Sequence, residues 1–525
     1  MVDGLGEAGG WVEVASLGAL AAKGRLVVRP GGRQIALFWH GGRVLACANR
    51  CPHEGYPLRE GTLDGDCVLT CNWHNWKFSL TTGANLMNGE PVRVYPVELR
   101  DGAVFLDLTD PPAEARRAKV LEGLVEAVAD NAYDRIAREL ARYEKLGGDG
   151  LDGLAAAIAW SHDRFEFGMT HAYAAAADWL VLRGEAASPE DRLACLTEAI
   201  GHIADDVWRA GRFAFAEAAL PWDEAAFLAA MEAEDEAAAV SRLRGALAAG
   251  MGFAALEGAL ARAALAHYAD FGHSLIYVQK AGALIAALGD RVAGPVLLAL
   301  LRSIVMASRE DRIPEFRHYA SALAEFGGPG AVPDAAALRG LAIRPALAAV
   351  AANGGAAPLA LYDVLLTANA VNMLTYDDSY QFATDRPLAD NVGWLDFTHG
   401  LTFAGAVREL AGRHPDLWPA GLLQMACFLG RNAPYTDAGA PVLAADPQAV
   451  LKAAVARLYD HGVGEYIISA HLVKTTLAVR REIADGRGDA GVMAAALQRF
   501  LAAPLKRRHA RRTARQMLDF VAQEG

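Results

Sequence analysis

The chain has no long apolar run free of charge. Its two most apolar stretches, near 293–307 and 356–376, are interrupted by Arg302 and Asp363. Both are short or broken for a bilayer, which needs about 20 apolar residues per spanning helix, so they read as buried helices and no membrane partner is expected. The opening residues MVDGLGEAGGWVEV lack the basic start and apolar stretch of a secretory leader. Positive charge is in short supply: 50 Lys and Arg against 62 Asp and Glu leave a net charge of −12, which argues against nucleic acid as the main partner. One basic run, KRRHARRTAR at 506–515, goes against that sign and reads as a solvated face of a C-terminal helix. Cysteine is scarce and clustered, with Cys47, Cys51, Cys67 and Cys71 close together and Cys195 and Cys427 alone. That distribution is not a disulfide framework. These absences together predict a cytoplasmic protein.

What is present is a chain of 525 residues, 53% hydrophobic and 21% charged, enough for more than one well-buried core. Residues 10 to about 108 read as strands and turns. RLVVRP, QIALFWH and RVLACAN are short apolar runs separated by GGRQ and HGGR, and RDGA marks a hairpin in PVRVYPVELRDGAVFLDL. After LTDPPAEA (108–115) the composition shifts to Ala and Leu at helical spacing, and SPED (188–191) is a helix start with Ser188 as cap. The expected organisation is a small all-β domain over 1–108, a linker over 109–117, and a large all-α domain over 118–525. The polar, aromatic segment 375–394 has the length of a binding loop or a surface insertion.

Within the β region, CPHEGYPLREGTLDGDCVLTCNWH (51–74) offers two pairs, C-x-H and C-x-x-H, seventeen residues apart. Two tight loops, each with a thiolate and an imidazole, suit zinc or a two-iron cluster. Zinc knuckles usually pair cysteines within one loop; a [2Fe–2S] centre with two thiolates on one iron and two imidazoles on the other requires each loop to mix them.

The stretch from Trp11 to Leu108 resembles a Rieske domain of the ferredoxin or oxygenase type, on CPHEGYPLREGTL, CNWHNWKFSLTTGA and EPVRVYPVELRDGAVFLD. That resemblance implies a [2Fe–2S] cluster with Cys51 and Cys71 on one iron and His53 and His74 on the other, the histidines at an exposed tip. High-potential members carry a disulfide between the two loops and a serine hydroxyl near the cluster. Here Tyr56 and Trp73 stand at the disulfide positions and Trp76 at the serine. With fewer donors to the sulfurs the potential is expected low in the Rieske range, about −150 mV.

The α/β catalytic domain of Rieske oxygenases is not expected to follow. Its H-x4-H motif is absent, the nearest pair being His267 and His273 with five residues between. The helical region nevertheless holds eleven of the fourteen histidines. In LAHYADFGHSLIYVQKA, Asp270, His273, Tyr277 and Lys280 share a stripe on a helix apolar nearly all round, and a buried polar stripe needs hydrogen bonds, a metal or a substrate. His399 lies on an apolar face with Phe403 and Leu410, with Asp396 a turn earlier; His162 faces Glu166, and His171 faces Phe167 and Asp178. His318 follows REDRIPEF, near a helix start. Glu198, His202 and Asp205 lie opposite the apolar stripe of their helix and read as a solvated face. Inward-facing histidines on separate helices are how bundles build non-haem metal sites. MTHAYAAAADWL, GHSLIYVQKA and DFTHGLTFAGAV show scattered resemblance to the questin oxidase-like family, which implies that these histidines line an active site for oxidation of aromatic molecules.

The expected function is that of a Rieske-dependent oxygenase, a monooxygenase or related oxidase. An external reductase or ferredoxin supplies electrons, the cluster passes them to a metal (iron) or substrate site, and a small hydrophobic molecule is oxidised with O2. The expected site residues are Asp270, His273, His318 and His399, with His162, Glu166 and His171 next, acting as metal ligands or in proton transfer. The resemblance also makes a homodimer an expectation. The alternative is an electron-transfer or redox-sensing protein whose helical domain binds a partner.

Overall fold

The computed structural model describes residues 10–87, 89–268, 272–382, 392–505 and 510–522. The chain divides into two compact units, Met1–Lys119 and Val120–Gly525.

The first unit is built from nine short strands: β1 (Trp11–Ser16), β2 (Arg25–Val28), β3 (Ile35–His40), β4 (Arg43–Ala48), β5 (Thr62–Leu63), β6 (Val68–Thr70), β7 (Lys77–Ser79), β8 (Val97–Arg100) and β9 (Ala103–Asp107). They pair antiparallel in three sheets, β1-β9-β8, β2-β3-β4 and β5-β6-β7. The tight turns fall where the sequence places them. Gly41 and Gly42 take φ of 53° and 75° between β3 and β4, and Asp101 and Gly102 take 47° and 78° between β8 and β9. Positive φ at both central residues matches the right-handed twist of the flanking strands. β3 reads as an unbroken apolar run because it is buried on both faces. Ile35 and Leu37 enter one core with Val104 and Leu106, while Ala36 and Phe38 enter a second with Leu58, Leu69 and Phe78. Cys51 and Cys71 belong to that second core, so the two motif loops rise from packed apolar side chains. All six cysteines are free thiols, with no disulfide between the loops.

The second unit is helical, with one extended apolar core. The first helix after the strands, Ala113–Ala129, starts inside the segment expected as a linker. Ser188 caps Pro189–Asp206 by accepting from the Asp191 amide at 3.0 Å. Four helices matter most here: His171–Glu185, His273–Leu288, Trp394–Arg413 and Tyr466–Ala484. None shows a simple one-sided apolar stripe, because each is packed on most of its circumference, and such helices belong in the interior of a large domain. No described helix is long and apolar enough to cross a membrane.

Of the face expected to be solvated, Asp205 is exposed, but Glu198 and His202 are buried, contrary to expectation. His202 is 3% exposed, and Glu198 accepts from Tyr133 Oη at 2.9 Å and pairs with His461 Nε2 at 3.0 Å. A polar face was covered by other polar side chains from distant segments, which one helix's own pattern does not reveal. Of the expected loop at 375–394, residues 383–391 lie outside the described residues, as do Asp270 and 506–509 of the basic run, and a short helix, Ser379–Phe382, forms just before them.

Candidate functional site

The two motif loops of the β unit have one construction. In the first, the Cys51 amide donates to Tyr56 O at 2.9 Å and the Gly55 amide to Cys51 O at 2.8 Å; in the second, Cys71 donates to Trp76 O at 2.8 Å and Asn75 to Cys71 O at 2.9 Å. Gly55 and Asn75, four residues after each cysteine, take φ of 78° and 61°, the left-handed turn that glycine and asparagine accept most readily. Each loop thus curls its cysteine inward and its histidine outward. Cys51 and Cys71 are 4% and 1% exposed, whereas the His53 and His74 side chains are 33% and 39% exposed. The imidazole rings sit edge to face, 4.8 Å between centroids.

Trp76 stacks on His53 at 4.5 Å and Trp73 on His74 at 4.9 Å. Tyr56 and Trp73, the positions where related loops would be joined by a disulfide, touch at 5.7 Å between ring centroids. An aromatic contact therefore replaces a covalent link. Burial pushes the Cys51 thiol up to about 11, with the neighbouring Cys71 sulfur adding to the effect. Two adjacent buried thiols ionise together only when a cation compensates their charge. The donor set of two inner sulfurs and two outer nitrogens fits a [2Fe–2S] centre of mixed ligation.

These features define an iron–sulfur electron carrier. Residues 10–96 match the family model for the Rieske [2Fe-2S] domain, and through this segment the chain belongs to the Rieske family. The 3-phenylpropionate/cinnamic acid dioxygenase ferredoxin subunit of Escherichia coli (strain K12) is 37% identical over 78 residues, 14% of this chain and 74% of that one. The protein of the same description from Photorhabdus laumondii is 32% identical over the same shares. Among solved structures, the ferredoxin of carbazole 1,9a-dioxygenase from Nocardioides aromaticivorans IC177 is 25% identical, with 19% of this chain and 98% of that chain covered and a TM-score of 0.18. By its sequence relatives, the domain resembles ferredoxin subunits of a dioxygenase system.

The helical unit has its own convergence. His171, His273, His399 and His471 come from four helices, and one ligand atom from each lies within 4.8 Å of the other three. His171 and His273 are the first residues of their helices. His399 and His471 are each the sixth residue of theirs, and each places Nδ1 2.6 Å from the carbonyl four residues back, Leu395 or Ile467. A carbonyl only accepts, so Nδ1 carries the proton and Nε2 presents its lone pair inward. The contacts between Nε2 atoms are 3.1 Å (His273–His171), 2.9 Å (His399–His273) and 3.3 Å (His471–His399). Imidazoles about 2.0–2.1 Å from one ion sit roughly 2.9–3.4 Å from each other.

Burial drives the His171, His399 and His471 imidazoles well below their ordinary pKa, and the Lys474 charge adds to this. Neutral rings are the metal-binding form. Lys474 Nζ lies 3.0 Å from His399 Nε2, and burial holds it well below the usual lysine range. Behind it Lys280 donates to Asp178 Oδ1 at 2.6 Å, while Tyr277 Oη lies 3.3 Å from His171 Nδ1.

Two glycines set these positions. Gly272 caps the His273 helix with φ of 76°, and a Cβ there would stand 2.3 Å from the Phe403 ring. Gly168, φ 80°, lets the chain before His171 lie against the 293–305 helix, where a Cβ would meet the Ser303 amide at 2.2 Å.

Of the residues singled out from sequence, His171, His273 and His399 are brought together. His162 is not: its Nδ1 bonds Ala159 O at 2.8 Å and its ring stacks on Phe215. His318 is elsewhere, preceding the Tyr319–Ala324 helix and accepting at its carbonyl from Ser321. Glu166 is exposed on the wall of a cavity beside His171. Asp396 caps its own helix through the Gly393 amide at 2.9 Å, and Lys280 is satisfied by Asp178. His471 went unrecognised. It sits in SAHLVKTT, a polar i, i+3 pair with Lys474 inside an apolar run, which is the signal that drew attention to His273.

Proposed function

We propose that the chain is a two-centre oxidoreductase, an oxygenase of the cytoplasm. Cys51, Cys71, His53 and His74 would hold the [2Fe–2S] cluster, and His171, His273, His399 and His471 a non-haem metal, most naturally iron. When bound, the cluster supplies one-electron transfer, and a redox metal in the helical unit supplies a centre for the four-electron chemistry of O2. An external reductase or ferredoxin is the electron donor, and a small organic molecule is the substrate.

The chain's own residues prepare each centre. The inner cysteines keep sulfur away from water, and the outer imidazoles and their stacked tryptophans present the conducting edge to a partner. Trp76 brings no hydroxyl to the cluster, which favours a low potential, about −150 mV. In the helical unit, the Leu395 and Ile467 carbonyls fix two histidine tautomers before any ion arrives. The observation that carries the reading is the inward convergence of four Nε2 atoms in a buried site. The His399 and His471 lone pairs face each other at 3.3 Å, an arrangement that is repulsive unless a cation or a shared proton lies between them.

The test is the metal and acid-labile sulfide content of anaerobically purified full-length protein. Two irons and two sulfides plus one further transition metal per chain are expected. Two irons and nothing more would sink the second centre.

A further inference from the structure

A cavity of about 760 Å³ opens beside the four histidines and has His171 on its wall. A second cleft, about 690 Å³ around Tyr268, Arg309 and Phe316, contains none of the four. Of these two, only the first has a wall formed by one of the four histidines, and its chemistry is lopsided. Glu166, Asp205, Asp206 and Glu465 line it, against a single cation, Arg164. That arginine is already engaged, donating to Trp160 O and to Asp163 at 3.2 Å, with its guanidinium stacked on the Trp160 ring at 3.8 Å.

Aromatic surface stands between these carboxylates. Phe167 is 66% exposed, an unusual position for a phenylalanine, and Phe213 and Tyr466 also border the space. A buried polar group points into it as well. His202 is 3% exposed and stacks on Tyr466 at 5.1 Å, yet it makes no hydrogen bond among the described residues, its nearest acid being Asp206 at 3.6 Å. Such a group wants a donor or acceptor from whatever fills the cavity.

A low-dielectric cleft lined by one sign of charge concentrates the opposite charge, and aromatic faces add attraction for a cation. We propose that this cavity is the substrate chamber of the helical unit and takes an amine-bearing aromatic molecule, its ammonium among the carboxylates and its ring against Phe167, Phe213 and Tyr466. The inference rests on the reading of the four histidines as the reactive centre. It narrows the expected hydrophobic substrate to one with a cationic group and excludes carboxylate and phosphate substrates.

The probes are tryptamine, tryptophol and indole-3-acetate, three indoles differing in the charge of the side chain, titrated into full-length protein by calorimetry. Tryptamine is expected to bind at least about 10-fold more tightly than indole-3-acetate, with tryptophol between, and high salt should shrink the gap. The variant E166Q/D205N alters exposed side chains and should remove most of that preference, with an unchanged thermal transition as the check on its fold. Equal or tighter binding of the acid, no binding by any probe, or an unchanged preference in the variant overturns the proposal. The metal count and the charge preference are separate readouts. A chain with no third metal that still selects tryptamine loses only the oxygenase reading; a chain with the metal but no selectivity loses only the chamber.

Discussion

The two donor clusters of this protein are built in opposite ways. In the β unit the four donors lie within 24 residues, on two loops each closed by its own pair of backbone hydrogen bonds. In the helical unit they come from positions 171, 273, 399 and 471, each held by a different helix. The first exposes its imidazoles, the second buries two of its four to 3% and 1%. A centre that trades single electrons with a partner must bring its edge to the surface. One that carries out chemistry on a small molecule gains from excluding water, which strengthens every electrostatic interaction inside it. The difference also separates their dependence on the rest of the chain: a loop pair needs one small core behind it, whereas the histidine site exists only once a whole bundle has packed.

The sharpest break of that comparison is Cys71→Ser. It should abolish the visible absorption of the cluster and all electron transfer, while the metal of the helical unit and its thermal transition persist. Retention of the cluster spectrum would dismiss the ligand assignment.

His471→Ala is the converse. Losing a ligand outright should exceed the ~10–100-fold loss typical of an outer-sphere partner, so turnover and the third metal disappear while the cluster spectrum survives. Turnover that continues in this variant would refute the four-histidine centre.

A smaller effect follows from burial near the cavity. Burial lowers His202 to about 4, below its ordinary 6.5. A group with a depressed folded pKa contributes stability that is present above about pH 6.5 and lost as pH falls through 4, up to about 3 kcal/mol. Asp206, raised to about 6 by burial, acts in the opposite sense: its contribution is present below its unfolded value and lost as pH rises through 6. Urea unfolding of the parent and His202→Gln between pH 7 and 4 should show the gap between them narrowing on the acid side; a constant gap would contradict it.

The least effect is expected for His162→Ala and His318→Ala, which should leave metal content and cluster spectrum unchanged, with turnover within about threefold. A loss as large as that of His471→Ala would show that the centre extends beyond the four histidines.

How much could be read beforehand follows the same division. The β-to-helix change near 108–115, the hairpins at 41–42 and 101–102, and the Ser188 cap were legible because each is governed by a few adjacent residues. The histidine centre was legible in part. His273 and His399 stood out as polar residues on apolar helices and His171 was picked with them, but so were His162, beside Glu166, and His318, near a helix start, which the fold leaves apart. His471 passed unnoticed, and the face of Glu198 and His202 looked solvated.

By itself the sequence determined the Rieske domain, because C-x-H and C-x-x-H close their loops through local hydrogen bonds whose partners are five residues or fewer away. It also determined that a large helical unit follows, since helical periodicity is a property of neighbouring residues. Only the tertiary structure decided which histidines meet. Each helix can present any of its faces to the interior, and the choice is made by packing among all of them at once, through contacts such as Gly272 against Phe403 that join residues more than a hundred positions apart.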